Sequence, residues 1–227
     1  MKKHYLLLLV IALISIKIYS QESRIKYSFQ GGLNYSSFRG YDSFVDDKPG
    51  IAYLFGASFE YKIKDKLSLK IDVNYERKVQ KSDNTLELNP GDAFNSIVGG
   101  IYNYSITNYS NYIVLPILVK YNFSKDNSFY LNGGPFIGFL INSGINSDLV
   151  IKGIDTNPRT TTTKNYKSLD YGLSLGVGKQ FKINGENKIY VELRDNLGLT
   201  NTSEVEVYNN GKIMTNSINL IVGYSIN

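Results

Sequence analysis

Nine charged side chains share one alternating face of a chain that is otherwise rich in aliphatic and aromatic residues. They are Glu60, Lys62, Lys70, Asp72, Glu76, Lys120, Asp170, Glu192 and Arg194. Paired carboxylates in such a set could serve as general acid and base, and Asp72 with Glu76 is the pair to weigh against a glycosidic bond. Nucleophilic triads fail for want of a base. The one histidine, His4, belongs to the N-terminal segment, and the chain has no cysteine and no tryptophan. Beyond residue 20 this excludes disulfides and Cys/His metal sites. No cofactor, metal or catalytic residue is assigned.

A two-residue period positions those charges. Successive strand residues point to opposite faces, so every second side chain lies on the same side. A first strand, about 26–38, sets Tyr27, Phe29, Leu33 and Tyr35 against Ser28, Gln30, Asn34 and Ser36. The second strand aligns Ile51, Tyr53, Phe55, Ala57, Phe59, Tyr61 and Ile63, and the third aligns Leu67, Leu69, Ile71, Val73 and Tyr75. The pattern recurs around 113–123, 129–139, 169–181, 189–199 and 218–226. One stripe is aromatic and aliphatic; the other holds Ser, Asn, Gly and the charges. Lipid outside and a polar lumen inside produce this combination.

The expected fold is therefore all-β: a closed eight-stranded antiparallel transmembrane β-barrel with long extracellular loops and short periplasmic turns. An even strand count suits closure. The gaps alternate in length, with long ones at 42–50, 81–111, 142–167 and between the last two strands. Short ones fall at 64–66, at 124–128 and at Asn184-Gly185, a hairpin-turn pair.

Lys2 and Lys3 precede an apolar run from Tyr5 to Ile14, and Ser20 offers a small residue before Gln21. Residues 1–20 read as a secretory signal peptide and 21–227 as the barrel domain. A membrane-anchoring helix would need about 20 apolar residues, and Lys17 interrupts the run. Three of the 25 basic residues (Lys2, Lys3 and Lys17) lie in that segment, so the rest carries 22 basic against 20 acidic groups, a net +2. That balance gives a nucleic-acid partner no support. The expected location is the outer membrane of a Gram-negative cell, as a monomeric barrel. Outer-membrane lipids are the expected partners, with a protein partner left unidentified.

An eight-stranded barrel has room inside only for its own side chains. The nine charges thus read as a salt-bridged plug, because unpaired buried charge is too costly to keep; a gated ion path is the rival. No sugar chain can reach Asp72 and Glu76 there, so enzymatic activity is not expected. Gly172, Gly176 and Gly178 read as space for long charged neighbours. Tyr102, Tyr104, Tyr109 and Tyr112 stand among Gly, Ser and Asn in and beside the second long loop. That composition suits adaptable contacts, unless these residues only extend two strands above the membrane. Arg77 faces outward near the top of its strand, level with headgroups whose phosphates a guanidinium binds bidentately.

Residues 67–75 (LSLKIDVNY), 115–121 (LPILVKY) running into 130–136 (YLNGGPF), 169–178 (LDYGLSLGVG) and 192–200 (ELRDNLGLT) carry a family likeness. Together they resemble the PorT-like small outer-membrane β-barrel family of Bacteroidota across nearly the whole chain after residue 20. Asp195, where that family more often has an aromatic residue, and the terminal Asn227 depart from its pattern. The resemblance implies the barrel fold and, through PorT itself, an accessory role in protein secretion. The expected function is a non-enzymatic integral outer-membrane barrel with an interaction or envelope role; the alternative is a narrow passive channel or small-solute transporter.

Overall fold

Hydrocarbon offers backbone groups no hydrogen-bond partners, so strands in lipid must pair along both edges. The computed structural model meets that requirement with eight long antiparallel strands: β1 (Ile25–Arg39), β2 (Asp47–Lys64), β3 (Leu67–Leu88), β4 (Gly100–Asn122), β5 (Phe129–Ile151), β8 (Leu169–Lys182), β9 (Lys188–Gly198) and β10 (Met214–Ile226). Two three-residue strands, β6 (Ile154–Thr156) and β7 (Arg159–Thr161), lie on the far part of β5. The structure describes residues 24–43, 46–88, 100–124, 128–151, 154–156, 158–183 and 187–226. The expected signal peptide and the Asn184-Gly185 turn lie outside the described residues.

Each long strand pairs with its neighbours in chain order, and the ring closes where β1 meets β10, from Tyr27↔Ile226 to Arg39↔Met214. This is a closed eight-stranded antiparallel barrel. Its side-chain distribution is the reverse of a water-soluble core. Phe29, Ile51 and Leu175 are 66%, 67% and 69% exposed, whereas Asp72 and Arg194 are 0% exposed. An apolar surface of that extent marks a membrane-facing band. Every outward stripe read from the sequence is on the outside.

The strand ends depart from expectation. The stretches 81–111 and 142–167 were expected as loops, yet the β3–β4 ladder continues to Leu88↔Gly100 and β4–β5 to Tyr104↔Leu149. There both faces see water, so the apolar alternation fades while Tyr, Ile and Thr keep their preference for extended backbone. The 22 and 23 residues of β3, β4 and β5 stand against 11 in β9 and 13 in β10. At about 3.4 Å per residue the β3–β5 wall rises far above the β9–β10 side. A register shift opposite Asn111 and Tyr112 leaves Ile141 of β5 unpaired, a bulge at the level where the extension begins.

The register yields a test. Leu173 is 53% exposed and Ser174 is buried on the adjacent position. A lysine at Leu173 would meet lipid near mid-strand and cost about 2–4 kcal/mol. Leu173→Lys is expected to refold in micelles with much lower yield than Ser174→Lys, and equal yields would contradict the register.

Candidate functional site

A strand sends residues two apart to the same side, about 7 Å apart along it. Lys70 and Asp72 on β3 and Glu192 and Arg194 on β9 are two such pairs. β3 and β9 are not neighbours in the ring, and the four side chains meet across the lumen. Lys70 Nζ lies 3.3 Å from Glu192 and 3.5 Å from Asp72. Arg194 donates from Nη1 to Asp72 at 2.7 Å and from Nε to Glu192 at 2.5 Å, and its Nη2 also contacts Glu192. Two cations and two anions make a neutral quartet, and its members are at most 3% exposed.

Aromatic side chains complete this layer. The Tyr130 hydroxyl donates to Glu192 at 2.8 Å, and Tyr190 donates to Gln30 at 2.7 Å. Gln30 in turn donates to Asn74 at 2.6 Å. Each ring lies over a glycine of the neighbouring strand, which leaves room for it in the lumen. Tyr130 pairs with Gly178 and Tyr190 with Gly223, and a Cβ at either glycine would land on the ring. Gly176 leaves space beside Glu192 and Asn132, as expected of it, but at Gly178 a tyrosine rather than a charge takes the room.

Smaller clusters lie on either side of the quartet. Toward the turn end Lys120 is 2.8 Å from Glu60 and 3.3 Å from Gln180, and its ammonium lies 4.3 Å from the Tyr130 ring centre. The space left among these groups is about 10 Å³, enough for no more than one water. Toward the loop end Lys78 is 3.2 Å from Asp170, and Thr215 bridges the pair, accepting from Lys78 at 2.8 Å and donating to Asp170 at 2.7 Å. Glu76 takes neutral donors: Ser217 at 2.6 Å, Asn34 at 3.0 Å and Asn196 at 3.1 Å.

The family described as outer membrane protein beta-barrel domain matches residues 19–204. The chain belongs to this family. It is an integral outer-membrane β-barrel, and the family match is broader than the PorT-like group its sequence resembles. Among solved structures it is similar to Neisserial surface protein A, at 14% identity over 91% of this chain and 99% of that one, with a TM-score of 0.42. It is also similar to the attachment invasion locus protein of Yersinia pestis (11% identity, 88% and 98% covered, TM-score 0.37) and to the outer membrane protease OmpT of Escherichia coli (12%, 91% and 98%, 0.36). No curated protein matches.

In this outer-membrane barrel, eight of the nine predicted charges point into the lumen. Lys62 does not join them. It lies at the turn end, 3.1 Å from Asp65 of the β2–β3 turn, where solvent is within reach of a long side chain. Lys78 joins the lumen charges although the nine expected from sequence omit it; Glu76-x-Lys78-x-Gln80 keeps the inward parity of β3. The four tyrosines expected in one display loop are not brought together. Tyr112 is wholly buried in the lumen beside Val114 and Phe136, since β4 already spans its position. Tyr109 faces the opposite way, 4.1 Å under the Arg77 guanidinium. Tyr104 is half-buried on β4, and the side chain of Tyr102 lies outside the described residues. Arg77 is on the outer face, as its parity requires, and donates to Asn111 at 3.5 Å.

Arg194 makes the shorter contacts to both anions of the quartet, and its loss would leave Lys70 as the one cation facing Asp72 and Glu192. Removing one partner of a desolvated pair costs roughly 3–5 kcal/mol. Arg194→Ala is expected to lower the urea midpoint in micelles by a matching amount. A midpoint equal to wild type would mean that water already screens Asp72 and Glu192.

Proposed function

We propose that this protein is a sealed, non-enzymatic outer-membrane barrel that acts through the face it presents at its loop end rather than by passing solute. The observation that carries the reading is the neutral quartet of Lys70, Asp72, Glu192 and Arg194, buried at mid-lumen and flanked by Tyr130 and Tyr190. A conducting path needs mobile water along its length. Here each flanking cluster is tied to its own partners, and the space beside the turn-end cluster is about 10 Å³. Residues 1–20 would direct export and be removed, leaving the chain termini and tight turns on the periplasmic side. The tall β3–β5 wall then stands outside the cell. A secretion-accessory role, as the PorT-like resemblance implies, would be exercised by docking a protein partner there.

Conductance separates this reading from a narrow channel or small-solute transporter. The protein reconstituted in planar bilayers is expected to give no stable open steps across ±100 mV. Reproducible single-channel steps would replace the sealed barrel with a pore.

The outward Arg77 is the residue proposed to contact lipid headgroups. Its guanidinium stacks on Tyr109, which fixes its plane near the level where headgroup phosphates lie. Charge on the outer face costs only about 0–1 kcal/mol at that height. Lipopolysaccharide is expected to raise the thermal midpoint of wild type more than that of Arg77→Ala in micelles. Equal stabilisation would remove Arg77 as a headgroup ligand.

A further inference from the structure

Above the Lys78–Asp170 pair the barrel opens at its loop end into a recess of about 340 Å³, a volume in the range of small-ligand sites. Its composition is uneven. Phe38, Tyr41 and Tyr166 supply aromatic rings, and isoleucines complete the apolar wall. Asp47 is the one carboxylate in the lining, and no Lys or Arg is among the described residues that form it.

Asp47 is held in place by its neighbours. Tyr41 donates to Oδ2 at 2.8 Å, and the Ser82 hydroxyl donates to Oδ1. Gln80 donates to the Tyr41 oxygen at 2.5 Å and accepts from the Phe38 backbone N–H at 2.6 Å, so the acid, the phenol and the Phe38 backbone form one hydrogen-bonded unit. Burial pushes the Tyr41 hydroxyl up to about 12 and raises that of Tyr166 as well, so both rings are neutral at physiological pH. Hydroxyl donors on both oxygens favour the ionised carboxylate. Lys48, next along β2, is paired with Asp46 at 3.2 Å and Asp83 at 3.4 Å. The recess therefore combines a fixed negative charge, aromatic walls and a lining without basic groups.

We propose that this recess binds a small organic ammonium ion, its charge against Asp47 and its alkyl groups among the rings of Phe38, Tyr41 and Tyr166. Aromatic rings attract a cation through their quadrupole, and the attraction grows as the site is desolvated. An anionic ligand would be repelled by Asp47. A neutral ligand of the same shape would fill the volume and leave the carboxylate without a counter-charge. The site does not depend on whether the lumen below it is sealed.

The probe is choline, and the control is 3,3-dimethylbutan-1-ol, its uncharged isostere. Both are titrated calorimetrically into the protein purified in a nonionic polyoxyethylene detergent. Choline is expected to bind about tenfold tighter than the alcohol. Asp47→Asn should erase that preference with the strand circular dichroism unchanged, and Tyr166→Leu should weaken choline several-fold. Equal affinity for choline and the alcohol, full choline affinity in Asp47→Asn, or no choline binding at tens of millimolar would each overturn the proposal. Should Asp47→Asn fail to fold, the wild-type comparison of the two probes and the Tyr166→Leu result decide it.

Discussion

The requirement that every backbone N–H and C=O find a partner without help from the solvent governs this molecule. In hydrocarbon an unpaired group costs several kcal/mol, and a sheet with two free edges would carry a row of them. The β1–β10 ladder removes both edges, with thirteen residue pairs between Tyr27↔Ile226 and Arg39↔Met214. Once the ring is closed with eight strands, the width of the lumen is set, and side chains must fill it. The outer stripe is then free to be as apolar as lipid demands, and the inner stripe must satisfy itself.

That inner stripe behaves as a core turned polar. A buried ion pair gives little net stability compared with apolar packing of the same volume, but breaking one is expensive. The quartet, the Glu60–Lys120 pair and the Lys78–Asp170–Thr215 group are therefore better viewed as devices of specificity than as sources of stability. They fix which strands face one another across the lumen. The two Tyr–Gly contacts add shape to that chemistry, since each ring needs the facing residue to lack a Cβ.

What could be read from the sequence follows from where the environment differs on the two faces of a strand. Between lipid and lumen the contrast is absolute, and Tyr27, Phe29, Leu173 and Leu220 declared their side through parity alone. Above the membrane the contrast disappears, so parity gives no sign that β3 continues past Gln80 or that β4 begins before Tyr112. For the same reason Tyr112, expected among the loop contacts, is instead a lumen residue of β4. Parity also gives only the face of a residue, not its height around a tilted ring. It placed Lys70 and Arg194 inside without revealing that side chains of β3 and β9 meet across the lumen. Tyr130 and Tyr190 went unremarked because an aromatic residue in a charged stripe has no sequence signal of its own; only the glycines opposite them hinted at it.

The pairing of acid and base two residues apart bears on how the chain enters a bilayer. β3 carries Lys70 beside Asp72 and Glu76 beside Lys78 across Asn74, with Glu192 beside Arg194 on β9. The inner stripe of β3 and the Glu192–Arg194 couple of β9 are each electrically balanced before any opposite wall is present. Ions in hydrocarbon are penalised singly far more than as close couples. A partly assembled, still open sheet would thus bring no net charge into the membrane with these couples. The dipolar stripes could await one another there, and the final act of closure would exchange local neutralisation for the cross-lumen contacts seen in the finished ring.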